Sequence, residues 1–299
     1  MIKLSGNSQH VIYRPPSEAK SFILRVTEGC SHNKCTFCSM YRNIRFRVRS
    51  LDEVECEIQQ MASFYPGLRR VFLADGNALV LNTDKLLAIM KKLHVAFPML
   101  TRITCYGAPK DILHKKPDEL KALQRAGLQI IYLGIESGDD QVLSDINKGV
   151  TANEMIAAGQ RVLEAGIKLS AMVILGLGGQ QYTNSHALNT ARVINAIGPT
   201  MLGVLTLALF DGTPLKDAVD RGDFLPLTTR ETLLELKEML ENINVQQPCI
   251  FRCNHISNLL PLKGVLNRDK AQLLADVQEM LEFLQNNSYN HQNINPTHF

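Results

Sequence analysis

The chain has no tryptophan, and aromatic residues make up only 6% of it. No apolar run approaches the ~20 residues that a membrane-spanning helix needs. Residues 1–10, MIKLSGNSQH, lack the apolar core of a secretory signal. The missing tryptophan decides nothing; the missing apolar run excludes a membrane-spanning helix and, with the missing signal core, points to a cytoplasmic protein with no membrane partner. A strong excess of either charge is missing as well: 32 Lys and Arg stand against 29 Asp and Glu, a formal net charge of +3. So small an excess gives no clear signal for nucleic acid. No composition shift marks a second domain. Hydrophobic residues at 45% and charged residues at 20% are ordinary for a folded protein, and 299 residues suffice for one large α/β domain.

The last absence is a fourth cysteine beside a cluster of three. There are seven cysteines, an odd number that does not suit a disulfide framework, and three of them crowd into one loop. That loop lies in residues 21–49, SFILRVTEGCSHNKCTFCSMYRNIRFRVR. The apolar run Phe22-Ile23-Leu24-Arg25-Val26 ends at Gly29, and Cys30, Cys35 and Cys38 follow. No fourth cysteine is near. A structural zinc site is closed by four protein ligands, whereas a catalytic metal site keeps one position open. Three thiolates also suit three irons of a [4Fe-4S] cluster, with the fourth iron left for a substrate or cofactor. The competing reading is a zinc knuckle completed by His32 or a remote cysteine.

The rest of the chain alternates. Ser50-Leu51-Asp52-Glu53 is a capping box that opens a helix, with Val54, Ile58 and Met61 on one face. Val71–Ala74 reads as a second buried strand. Helices at 83–96, 117–126, 152–165 and 183–197 lead to strands at 101–106, 129–135, 168–175 and 201–209. Arg125-Ala126-Gly127 and Glu164-Ala165-Gly166 read as helix ends on a left-handed glycine. The strands are continuous apolar runs, the pattern of a parallel sheet covered by helices. The expected fold is α/β: an incomplete TIM-like (β/α)6 horseshoe barrel with one further strand at 249–253. Residues 1–20 read as a lead-in, 21–285 as one domain, and 286–299 as a disordered polar tail.

A buried strand followed by three clustered cysteines, with Phe37 before the last, resembles the radical S-adenosylmethionine (radical SAM) superfamily. The usual spacing there is Cys-x3-Cys-x2-Cys; this chain reads Cys-x4-Cys-x2-Cys, with the extra residue in Ser31-His32-Asn33-Lys34. The resemblance extends over roughly residues 12–285, nearest the branch containing oxygen-independent coproporphyrinogen oxidase and the methylthiotransferases, whose Gly-Thr-Pro turn is matched by Gly212-Thr213-Pro214. It implies a [4Fe-4S] cluster on Cys30, Cys35 and Cys38 whose open iron binds S-adenosyl-L-methionine. It further implies reductive cleavage to a 5′-deoxyadenosyl radical that abstracts hydrogen from a substrate. An electron donor such as flavodoxin or ferredoxin is implied too. The alternative is a non-catalytic Fe–S or zinc-binding module.

In a β/α barrel the chemistry sits at the C-terminal strand ends. By the resemblance, Phe37 would help hold the cofactor, and the backbone of Asp75-Gly76-Asn77 would bind its methionine amino group, or else form an ordinary turn. Glu136 would accept hydrogen bonds from the ribose hydroxyls, or else cap a helix. Lys148 would face the methionine carboxylate, or simply favour a helix C-terminus. Gly176 and Gly178 would let the backbone approach the adenine. The polar run at the end of the last strand, Arg252, Asn254, His255 and Asn258, is the candidate set for holding substrate, a small molecule rather than a macromolecule; a surface turn is the alternative. Arg45, Arg47 and Arg49 share one face if extended, toward an anion or toward solvent. Cys249 and Cys253 are considered for a second metal with Cys56 or Cys105, though the latter two fall mid-helix and mid-strand, where cysteine behaves as a small apolar residue.

Overall fold

A computed structural model describes residues 11–286, so the expectations for the first ten residues and for 287–299 lie outside the described residues. The strand β1 (Phe22–Arg25) leads through a short β2 (Thr27–Glu28) into the cysteine loop. The chain returns through β3 (Arg47–Val48) to α1 (Leu51–Phe64). There follow β4 (Arg70–Ala74), α2 (Thr83–Ala96), β5 (Arg102–Tyr106), α3 (Pro109–His114), α4 (Pro117–Arg125) and β6 (Leu128–Glu136). Next come α5 (Asp140–Asp145), α6 (Ala152–Glu164), β7 (Lys168–Leu175), α7 (Gly179–Ile197) and β8 (Met201–Thr206). The final third adds α8 (Pro214–Arg221), α9 (Thr229–Asn242), β9 (Cys249–Cys253), β10 (Leu262–Leu266) and α10 (Lys270–Asn286).

Eight strands form one sheet in the order β1-β4-β5-β6-β7-β8-β9-β10. Neighbours are parallel except β9 and β10, which form an antiparallel pair at one edge. The horseshoe is therefore the expected one, with a strand more than anticipated. That strand escapes a periodicity search because Lys263 and Gly264 interrupt its five residues, Leu-Lys-Gly-Val-Leu.

Side-chain alternation divides the core in two. Leu24, Leu73, Ile131, Leu169, Val204 and Phe251 face the surrounding helices. Phe72, Ala74, Ile130 and Tyr132 face the inside of the curve, with Ile23, Met172 and Met201 against them. Short connections follow from the caps. Ser50, Thr151 and Thr228 each form a capping box, and Gly127 and Gly166 take φ of +106° and +78° just past their helices.

Several boundaries depart from expectation. Helix α7 begins at Gly179, so Gly178 is its N-cap. Strand β8 stops at Thr206, and α5 stops at Asp145, leaving Lys148 in the loop beyond it. The lead-in is more than a leader. Glu18 is fully buried; its carboxylate accepts from Tyr132 Oη at 2.6 Å and pairs with Arg102 at 3.0 Å. This segment thus packs against the inner face of β5 and β6. The alternating arginines divide: Arg47 bridges Glu28 and Glu53, Arg49 is buried against Glu57, and Arg45 is exposed.

Candidate active site at the strand ends

The cysteine loop is held from three sides. Arg42 donates to the carbonyls of Cys38 at 3.0 Å, Cys35 at 3.3 Å and Thr36 at 3.4 Å. Thr36 N–H donates to Ile146 O at 2.9 Å, and Leu215 N–H, at the start of α8, donates to Thr36 O at 3.1 Å. His32 Nε2 lies 2.7 Å from Asn147 O. The inserted residue therefore lies in a segment tied to the loop that carries Lys148, through the contact of His32 with a backbone carbonyl.

The turn after β4 supports the loop from below. Tyr41 Oη donates to Asp75 Oδ1 at 2.5 Å, Gly76 N–H donates to Gly29 O at 3.2 Å, and Asn77 Nδ2 donates to Ser31 Oγ at 2.9 Å. A Cβ at residue 76 would stand 2.9 Å from Tyr41 Cε2 and 3.0 Å from Cys30 Cβ. Only glycine fits there without displacing the loop. Burial pushes the Cys35 thiol up to about 11 and raises Cys38 as well. Unmetallated, these are inert thiols; a positive metal centre is what converts such groups to thiolates.

The donors fit a cluster. Among the described residues no three His, Cys, Asp or Glu side chains converge on one metal ion. A [4Fe-4S] cube takes each thiolate on a separate iron, so it asks for thiols spread around a loop. The buried Thr36 hydroxyl, between Cys35 and Cys38, has no partner among the described residues. Phe37, partly buried, packs against the main core.

At the end of β6, Glu136 takes φ +64° where the pairing with β7 slips between Gly134 and Glu136. A non-glycine residue in this conformation is costly and aims the carboxylate back over the inner face. Lys148 Nζ meets Glu136 Oε1 at 2.9 Å, with the side chains 12% and 14% exposed. Burial pulls the Lys148 ammonium down, but Glu136 outweighs it and holds the group above its ordinary value. The two residues expected to hold different ends of the cofactor thus hold each other.

A buried polar network fixes the ends of β6 and β7. Glu235 accepts from Gly176 N–H at 2.6 Å and from Thr183 Oγ1 at 2.6 Å. His186, 3.7 Å from Glu235, joins Ser137 Oγ at 2.8 Å to Ile174 O at 3.1 Å. Burial pushes the Glu235 carboxyl above its ordinary value. Nearby, a cavity of about 470 Å³ lies between the ends of β7–β9 and helices α8 and α9, lined by Leu175, Gly176, Thr206, Val219, Leu233 and Ser257.

The last strand's set separates. Asn258 donates to Val204 O at 2.8 Å and accepts from Thr206 Oγ1 at 2.9 Å, so its amide clips the loop to β8 rather than facing a ligand. His255 Nδ1 is 2.8 Å from Ser257 Oγ. Arg252 and Asn254 are exposed. Cys249 and Cys253 are buried, their thiols pushed up to about 12, and Cys105 behaves likewise. Cys56, by contrast, is exposed on α1 and does not fill an apolar site. Tyr41, Arg42 and the Glu235–His186 pair escaped sequence reasoning. Nothing about their spacing announces them, because their partners come from elsewhere in the fold.

A partial β/α barrel with three thiols on the loop after its first strand is an arrangement suited to an iron–sulfur cluster at the strand ends. The chain matches the radical SAM superfamily over residues 24–194, more than half its length, and belongs to that superfamily. Members bind a [4Fe-4S] cluster and S-adenosyl-L-methionine. The chain is 26% identical over 239 residues to a tRNA-2-methylthio-N(6)-dimethylallyladenosine synthase of Dehalococcoides mccartyi, covering 78% of this chain and 55% of that one. It is 22% identical over 133 residues to the heme chaperone HemW of Bacillus subtilis, covering 44% and 35%. The chain spans about half the length, or less, of these curated relatives. Among solved structures, coproporphyrinogen III oxidase HemN of Escherichia coli superposes with TM-score 0.58 at 20% identity, covering 74% of this chain and 51% of that one. Methylornithine synthase does so with TM-score 0.52 at 15% identity, covering 89% and 81%. At such identities the likeness is one of fold.

Proposed function

We propose that the protein is an enzyme that starts a radical reaction by reductive cleavage of S-adenosyl-L-methionine, using Cys30, Cys35 and Cys38 to hold the cluster. When bound, the cluster supplies the electron for that cleavage. One observation carries the reading: the three-thiol loop, the Asp75–Asn77 turn and the Glu136–Lys148 pair all lie at C-terminal strand ends of one parallel sheet. Within it, Glu136 and Lys148 orient the cofactor, the backbone at Gly176–Gly178 approaches the adenine, and Asp75, Gly76 and Asn77 hold the cysteine loop beside it. Arg42 keeps the loop carbonyls occupied and so fixes the loop backbone around the three thiols. The electron comes from a separate donor such as a flavodoxin or ferredoxin.

The substrate proposed is a small molecule. The Dehalococcoides relative is named for a tRNA product, but this chain's net charge of +3 offers little to a polyanion. The test is anaerobic reconstitution followed by reduction with dithionite in the presence of S-adenosyl-L-methionine. The expected result is 5′-deoxyadenosine from the wild type and none from Cys35→Ala. Cofactor left uncleaved by an iron-loaded wild type would contradict the proposal and favour a non-catalytic module.

A further inference from the structure

The inner face of the sheet carries a row of residues in register across four parallel strands and the antiparallel edge. Gly134 on β6 lies beside Met172 on β7, which lies beside Gly203 on β8. Gly203 lies beside Arg252 on β9, and Arg252 is directly opposite Lys263 on β10. The alternate residues Cys249, Phe251 and Cys253 are buried against the helices, so Arg252 points to the inner side, where its neighbour Ile250 is 40% exposed.

Two features of this row have no explanation within the fold. The first is the cation pair. Like charges directly opposite on neighbouring strands repel, yet no acidic group among the described residues compensates. Arg252 uses Nη1 on the carbonyls of Phe251 at 2.7 Å and Gly264 at 3.5 Å, while the Lys263 ammonium has no partner among the described residues. Neither forms an ion pair with a described carboxylate. The second is Gly203. Its φ lies outside the left-handed region, and an added Cβ would meet nothing closer than Met172 Cγ at 3.7 Å and Ala171 O at 3.8 Å. A strand-interior glycine that neither sterics nor backbone demands weakens the strand, and such a residue often marks close approach of a ligand.

We propose that this row is an anion-binding substrate site. Arg252 and Lys263 bind a carboxylate or phosphate group, while the apolar body of the same small molecule lies over Gly203 between Met172, Met201 and Ile250. Three strand spacings separate Arg252 from Gly134, roughly 14 Å. An acid anchored at the edge therefore extends its apolar body toward Glu136 and Lys148. As a substrate site this rests on the radical reading of the preceding section; as an anion site it rests on register and charge alone. Lys263 joins the binding residues, and the substrate class is an organic acid rather than a neutral metabolite.

The test uses the full chain and two fluorescent probes, anilinonaphthalene sulfonate, an apolar anion, and neutral N-phenylnaphthylamine. The charge-removing variant Arg252→Gln/Lys263→Gln is expected to weaken the anionic probe by at least about tenfold, since each lost contact is a charge-assisted one, with the neutral probe unchanged. Gly203→Leu should weaken both by filling the floor. Naphthoate and naphthyl phosphate, competing against the anionic probe, separate a carboxylate ligand from a phosphate one, and displacement by either supports the site. An anionic probe that binds the charge-removed variant as well as the wild type would overturn the proposal, as would equal loss of the neutral probe or displacement by neither acid. Iron uptake measured on the same preparations keeps the two readings apart. A chain that takes no cluster but shows the charge-dependent probe binding loses the radical reading and keeps the anion site; a loaded chain without that binding does the reverse.

Discussion

A methyl group placed at residue 134 perturbs the Glu136–Lys148 pair without altering either partner. The Cβ of Gly134→Ala would stand 2.0 Å from Glu136 Oε1 and 3.2 Å from Lys148 Nζ. The obstruction is the tip of a flexible side chain, not backbone. Glu136 therefore turns to another rotamer while β6 stays in place. The 2.9 Å contact with Lys148 is lost, in a site where both side chains are nearly shielded from water. A hydrogen bond to a charged group contributes about 1.5–3 kcal/mol. If Glu136 holds the cofactor ribose, affinity for S-adenosyl-L-methionine should fall by about 10- to 150-fold. Titration calorimetry on the anaerobically reconstituted protein measures this, alongside iron content and melting temperature. Glu136→Gln should lose a similar amount, because it keeps the shape and removes the charge. Gly67→Ala, with nothing within 4 Å of the added Cβ, is the control and should bind normally. Wild-type affinity in Gly134→Ala would mean that Glu136 does not hold the cofactor, and a collapse in melting temperature would mean that the strand and not the carboxylate absorbs the methyl.

Three further outcomes are expected. Gly76→Ala should lower iron uptake severalfold, since its Cβ meets Cys30 and Tyr41 at about van der Waals overlap; iron assay after reconstitution checks it. Tyr41→Phe removes the donor to buried Asp75 and should cost about 1–3 kcal/mol of folding stability, read by urea denaturation. Because burial raises the Glu235 carboxyl, its contribution to stability is full below the ordinary carboxylate range and is lost as the pH rises through the raised value. Glu235→Gln should lack that loss, visible as a flatter melting temperature between pH about 4 and about 8; parallel curves for the two proteins would show that Glu235 ionises without penalty.

The strands and helices that one-dimensional pattern describes were legible in the sequence. Residues 83–96, 168–175 and 249–253 fall on helix and strand boundaries as expected, because capping residues and continuous apolar runs mark them locally. The site was legible where local spacing carries it, in the three cysteines. It was illegible where the partner is remote. Nothing in the lead-in announces that Glu18 will be buried against Tyr132, more than one hundred residues away. Nothing near Asn258 announces that its amide will clip β8. Lys263 acquires meaning only once register sets it opposite Arg252, and register is a property of the paired strands rather than of either sequence.

We propose that Cys30, Cys35 and Cys38 hold a cluster with one iron open to S-adenosyl-L-methionine. The most direct test is electron paramagnetic resonance of the anaerobically reconstituted, reduced protein with and without the cofactor. The expected result is about four irons per chain, a reduced-cluster signal that shifts on adding S-adenosyl-L-methionine, and neither iron nor signal in Cys35→Ala. Stoichiometric zinc without iron uptake, or a cluster signal indifferent to the cofactor, would contradict the proposal.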